Sequence, residues 1–198
     1  MERQAHWDDV YGKKQDREVS WFEPRPDASL ELIEAAAVPS EASIIDIGGG
    51  TSRLIDHLLD AGFTDLSLLD VSENALERVR TRLSARAARV RFIRADIAEW
   101  QPDATFELWH DRAALHFLTT PNERQAYART LKLALRLGGH AIFGSFALTG
   151  PERCSGLPVQ RYDSVAMQEL LGPGFRLEDS FTRDHMTPAR VLQRFQFA

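Results

Sequence analysis

The chain reads as an α/β protein: a doubly wound, seven-stranded, mostly parallel sheet with helices on both faces and an antiparallel C-terminal edge pair. Three observations predict this. Short β-branched runs alternate with amphipathic stretches, the first run ends in glycines that open a helix, and two further apolar runs close the chain. The first five strands are expected at Ser43–Ile47, Leu66–Leu69, Val90–Arg94, Phe106–His110 and His140–Ser145.

Residues 1–40 precede the first strand. They predict a helix around His6–Tyr11 and another over Ala28–Ala37, after a turn at Pro24 and Pro26. Trp7, Tyr11, Trp21 and Phe22 lie in and between them, as packing of the arm onto the core would require. Between strands, Glu73–Ala85 sets Leu76, Val79 and Leu83 on one helical face, and Asn122–Leu137 does the same with Tyr127, Leu131 and Leu135. The second of these begins after Pro121 and is expected to stop at Gly138-Gly139, where a left-handed residue costs glycine little. A Pro/Gly/Ser loop then runs from Gly150 to Pro158. A helix starts at Asp163 or Ser164 and stops at Gly172, and the runs Phe175–Phe181 and Val191–Phe197 form the edge pair.

The 198 residues suffice for one three-layer core but are short for two domains. One domain is expected over 1–198, with an arm at 1–40, a binding core at 41–145, and a loop with edge strands at 146–198. Apolar residues make up 43% and charged residues 27%, the balance of an ordinary globular chain. The net charge of -5 comes with no polybasic block, which disfavours nucleic acid and anionic membrane as partners. No apolar run reaches the roughly 18 residues of a membrane span, and the opening residues lack the order of a secretory signal, so a cytoplasmic location is expected. Cys154 is the lone cysteine, so no intrachain disulfide can form. No His, Asp and Glu set recurs at a metal-ligand spacing, and no glycine-flanked serine elbow is present.

The run Ile44-Ile45-Asp46-Ile47-Gly48-Gly49-Gly50-Thr51-Ser52 is a buried strand ending in glycines, either a tight strand-to-helix turn or a loop that admits a ligand closely. A dinucleotide fingerprint would need glycine six positions along from Gly48, counted inclusively, and Arg53 stands there. Asp46 two residues before Gly48 would repel a pyrophosphate and favour a ligand with an amino group and a sulfonium, which selects S-adenosylmethionine over NAD. Asp70, with Val71 beside it, ends the second strand where a carboxylate can accept both ribose hydroxyls; a helix N-terminal acid would occupy the same place. Asp96-Ile97 follows the third strand, where an acceptor can meet an adenine amino group and an aliphatic side chain can cover the ring. Asp96 by itself also reads as an ordinary loop acid.

Taken together, Asp46, Gly48, Gly50, Asp70, Asp96 and Ile97 resemble the pattern of the class I S-adenosylmethionine-dependent methyltransferases, from about Ile44 to Ser145 and more loosely to the C-terminus. Ser52 departs from it, standing where many members carry another glycine. The resemblance implies S-adenosylmethionine as cofactor, S-adenosylhomocysteine as product, no metal, and cofactor contacts from Gly49, Ser52 and Val71 as well. Trp7-Asp-Asp-Val-Tyr11 and Ser20-Trp21-Phe22 resemble the arm of thiopurine-type, tellurite-type and some lysine methyltransferases, which implies that Tyr11 and Trp21 cover the cofactor.

Methyl transfer is a displacement at carbon, so the protein chiefly aligns the acceptor and excludes water; a base is needed only for a protonated acceptor. The candidates sit after the fourth strand, at the ligand-binding end of such sheets. His110 or Asp111 is expected at the methionine end or methyl path, and Arg112 or His116 at the acceptor. His110 reads equally as a hydrogen-bonded strand-end histidine, and Asp111-Arg112 as an ion pair. Cys154 and Arg161, in the loop after the fifth strand, are expected on the acceptor side, where a plain loop thiol and a surface arginine fit as well. A small-molecule acceptor is the leading expectation. A protein lysine acceptor is the alternative, and a silent cofactor-binding regulator is the reading from another class. The oligomeric state is open.

Overall fold

The computed structural model describes residues 2–198; Met1, where the arm was expected to begin, lies outside them. The sheet has seven strands in the order β3-β2-β1-β4-β5-β9-β8. β1 (Ser43–Ile47), β2 (Asp65–Asp70), β3 (Val90–Arg94), β4 (Phe106–Arg112) and β5 (Leu135–Phe146) are parallel, and β8 (Phe181–Met186) and β9 (Leu192–Phe197) add antiparallel at the edge. A separate ribbon pairs β6 (Arg153–Cys154) with β7 (Leu157–Pro158).

Side chains alternate between the two faces of a strand, and the core divides accordingly. Ile44 and Leu108 point to one layer, with Leu32 of α2 (Asp27–Ala35), Leu58 of α3 (Leu54–Asp60) and Val79 of α4 (Glu73–Leu83). Ile45, Ile47 and Trp109 point to the other, with Leu131 of α5 (Pro121–Ala134) and Met167 of α6 (Ser164–Leu171). The helix starts carry their own signals. Ser72 accepts the Ala75 N–H at 3.2 Å, Asp163 accepts that of Ala166 at 2.8 Å, and Thr120 forms a capping box with Glu123 before Pro121. Each such cap contributes about 1 kcal/mol. The N-terminal helix α1 (Glu2–Lys13) extends beyond the expected His6–Tyr11 and lies against α4, where Asp8 accepts the Ser72 hydroxyl at 2.6 Å. Among the described residues, no helix is long and apolar enough to cross a membrane.

Three expectations are corrected. β4 runs through Arg112, so Asp111 and Arg112 lie on the strand rather than after it. α5 ends at Ala134 and Leu135 already belongs to β5. Gly138 and Gly139 therefore do not cap a helix. They sit where the β4–β5 register shifts, Gly138 at φ 79°, and a Cβ on Gly139 would come within 2.8 Å of the Glu107 carbonyl. The first edge strand is Phe181–Met186, not Phe175–Phe181. Phe175 packs into the second core layer, while the polar run Arg183-Asp184 is held in the sheet by an Asp184–Arg194 pair across to β9 and an Arg183–Glu31 pair to α2.

Candidate active site

The chain turns one way from β1 to β2 and β3, and the other way to β4 and β5. The crevice beyond the carboxyl ends of β1 and β4 is where ligands of open α/β sheets bind. A cleft with about 670 Å³ of free space, its open mouth included, lies there. One wall is Gly48, Leu69, Asp70 and Val71, the next Ala95, Asp96 and Ile97, and the third Arg112 to Ala114 with Phe117 and Leu118. Arg3, Trp7 and Tyr11 of α1, Trp21 and Cys154 complete it.

The glycine loop is shaped by close approaches. Gly48 has φ 60° and a Cβ there would lie 2.5 Å from that of Ala114; Gly50 has φ 53° and a Cβ there would meet the Tyr11 hydroxyl at 2.1 Å. Only glycine accepts both the left-handed backbone and the contact. Asp70 is 5% exposed and accepts the N–H groups of Gly50 and Ser72, each at 2.8 Å, so its carboxylate is fixed by the loops it joins. Burial pushes its pKa up to about 6, against the relief supplied by those two N–H groups. Asp96 accepts the Ala98 N–H at 3.0 Å and both carboxylate oxygens take Arg3 Nη1 at 2.7 Å; Arg3 also pairs with Glu123. Sequence reading missed Arg3. The signal was its spacing: Arg3, Trp7 and Tyr11 recur every four residues and so share one helical face. Phe117, edge-on to Trp7 at 4.9 Å, was missed as well, since no local pattern around it points to the cleft.

At β4 the structure departs from expectation. His110 does not line the cleft: its Nδ1 meets Asp46 Oδ1 at 2.7 Å and its Nε2 meets Ser29 Oγ of α2 at 2.8 Å. Ser29, His110 and Asp46 stand in the order of a nucleophilic triad, but each is at most 2% exposed and none lines the cleft, so the chain of bonds ties α2 to the sheet. Asp46 is thereby held in the core, and its Oδ2 has no hydrogen-bond partner among the described residues. Asp111 is also outside the cleft and is not paired with Arg112. It accepts the Ala114 and Leu115 N–H groups and the Tyr127 hydroxyl, the last at 2.6 Å, and burial raises it to about 6. His116 is fully buried beside Phe117 and Phe146, with no partner on either ring nitrogen among the described residues. Burial, and then the Arg112 charge, lower it to about 3, so it is neutral.

The remaining candidates divide similarly. Arg112 and Cys154 line the cleft, and burial raises the Cys154 thiol. Arg161 pairs with Glu152 at 3.1 Å and donates to the Gly150 carbonyl, outside the cleft. Ser52 accepts the Leu54 N–H at 3.1 Å at the start of α3, and Gly49 is enclosed by Asp46 and Leu68; neither lines the cleft. No cluster of His, Cys, Asp and Glu suited to a metal occurs among the described residues.

Comparison with known proteins gives this geometry a context. A family model described as a methyltransferase domain matches residues 44–139. The eEF1A lysine and N-terminal methyltransferase of Bos taurus is 22% identical over 136 residues, 67% of this chain but 19% of that protein. The malonyl-[acyl-carrier protein] O-methyltransferase of Paenibacillus sp. (strain JDR-2) is 29% identical over 112 residues, 54% of this chain and 40% of its own length. The chain thus spans less than half the length of either relative. The solved Burkholderia thailandensis 1,6-didemethyltoxoflavin-N1-methyltransferase, with 1,6-didemethyltoxoflavin and S-adenosylhomocysteine bound, superposes with TM-score 0.68 at 21% identity, over 99% of this chain and 82% of that one. That likeness is one of fold. The methyltransferase domain model thus covers β1 to β5 and the glycine loop, and the sheet has the class I methyltransferase fold.

Proposed function

We infer that the protein transfers a methyl group from S-adenosylmethionine to a small molecule, and that residues 1–198 act as one domain in doing so. The observation that carries this is the cleft itself: lined by Trp7, Trp21 and Phe117, and roofed on one side by α1. Such a space admits a compact acceptor and excludes water from a displacement at carbon.

The residues present fit the cofactor. Asp70 can accept ribose hydroxyls with the lone pairs its two backbone donors leave free, and Asp96 can accept an adenine amino group alongside Arg3. Val71 and Ile97 offer apolar faces for the ring, and Gly48 brings backbone to the cleft wall; Gly50, packed against the Tyr11 hydroxyl, does not line the cleft. Tyr11 and Trp21 bring aromatic faces that favour a cation. Bound there, the cofactor supplies the methyl group. His110, Asp111 and His116 act in this reading as positioning residues that fix β4 and its loop, and the acceptor enters past Arg112 and Cys154.

The test is calorimetric titration with S-adenosylmethionine and S-adenosylhomocysteine, with NAD and ATP as controls. Binding of the first two alone is expected; indifference to all four would overturn the reading. A second reading, methylation of protein lysine, is favoured by the curated lysine methyltransferase relative. Turnover of lysine peptides at the expense of small acceptors would select it.

A further inference from the structure

We propose that the methyl acceptor is a small, flat molecule bearing a carboxylate, and that Arg112 is the residue that binds it. This rests on the methyltransferase reading of the same cleft. Arg112 ends β4 and lines the cleft with a side chain only 10% exposed. A guanidinium carries five N–H donors, and burying it is costly unless they are satisfied. Here Nη1 donates to the Trp21 carbonyl at 3.0 Å, while Nε and Nη2 lack any hydrogen-bond partner among the described residues. The nearest carboxylate, Glu23, lies 3.2 Å from Nη2 without hydrogen-bond geometry and is shared with His185 Nδ1 at 3.1 Å.

Nε and Nη2, both shielded from solvent and the latter facing Glu23, form the edge that would grip a carboxylate with two parallel bonds once Glu23 gives way. The Phe195 ring, 5.0 Å from the guanidinium carbon, holds its plane. Around the same cleft Trp21 and Phe117 stand edge-on to Trp7, at 5.7 Å and 4.9 Å, and offer apolar surface to a planar body. Among the described residues Arg3 is the one other arginine or lysine that lines the cleft, and both its amino groups are hydrogen-bonded to Asp96 and Glu123. The cleft cation with unsatisfied donors is therefore Arg112, whose ion pair with Glu23 lacks hydrogen-bond geometry. Glu23, leaning on it from the arm, is the internal carboxylate that an acceptor must displace or share with.

The experiment is titration of the protein loaded with S-adenosylhomocysteine, using benzoate against benzamide and indole-3-acetate against indole-3-acetamide. Each carboxylate is expected to bind at least about tenfold tighter than its amide, the range of a charge-assisted bond. R112Q should abolish that preference while keeping affinity for S-adenosylhomocysteine within about threefold of wild type. E23Q should tighten carboxylate binding several-fold and leave the amides unchanged; should R112Q fail to fold, this variant decides. Equal binding of acids and amides, or no binding of either to the loaded protein, overturns the proposal. Failure of S-adenosylhomocysteine itself to bind overturns instead the reading on which it rests.

Discussion

Asp70 and Asp111 sit at the carboxyl ends of parallel strands, β2 and β4. Both are buried, and burial pushes both to about 6. Asp70 takes only the Gly50 and Ser72 N–H groups and lines the cleft. Asp111 takes two N–H groups and the Tyr127 hydroxyl, and lies outside the cleft. Burial therefore raises a carboxylate that lines the cleft as much as one spent on the fold, and only the donors around it and its access to the cleft tell them apart. The β2 end of the sheet leaves acceptor capacity facing the cleft, whereas the β4 end consumes it in holding the loop of Ala114 and Leu115.

The largest effect should break the pair cleanly. Asp70→Ala should weaken S-adenosylmethionine binding about 100-fold, the loss of two charge-assisted bonds of about 1.5 kcal/mol each, as read by calorimetry. Asp111→Ala should leave the affinity of the folded protein nearly unchanged but lower its unfolding free energy by about 3 kcal/mol, because a buried hydroxyl and two N–H groups lose their acceptor. The reverse pattern would dissolve the distinction.

A pH series sharpens it further. The affinity for S-adenosylmethionine should fall as pH drops through about 6, where Asp70 takes up its proton, and Asp70→Asn should remove that dependence. On the fold the sign is opposite. Both acids hold a proton up to about 6 when folded but only to the ordinary 3.8 when unfolded, so their contribution favours the fold in acid and is lost as pH rises between those values. His116 works the other way. Lowered to about 3, it leaves stability intact above its ordinary 6.5 and erodes it as pH falls. His116→Phe should therefore gain about 2 kcal/mol on wild type between pH 7.5 and pH 5 in urea unfolding; parallel curves would mean that a partner satisfies the imidazole. The smallest effect belongs to the arm. Arg3→Ala removes partly exposed pairs to Asp96 and Glu123 and should cost about 0.5 kcal/mol. Dissociation of S-adenosylhomocysteine, followed by stopped-flow tryptophan fluorescence, should nevertheless quicken if α1 covers the cleft.

The sequence by itself determined the α/β class, the strand cores, the capped starts of α4, α5 and α6, and the glycine loop with Asp70 and Asp96. These depend on side-chain period and turn chemistry within a few residues, which neighbours in the chain already specify. Tertiary structure decided where β8 falls, because Phe181–Met186 pairs along β9 while Phe175 is taken into the second core layer. It also decided that Gly138-Gly139 marks a register shift and not a helix end, and that Arg3 joins the cleft. The roles of His110, Asp46 and Asp111 were hidden for the same reason. Their partners lie 64, 81 and 16 positions away, in Asp46 to His110, Ser29 to His110 and Tyr127 to Asp111. Whether a polar side chain is spent on the fold or left for a ligand is settled by donors brought together from distant segments, and a linear pattern does not contain that distance.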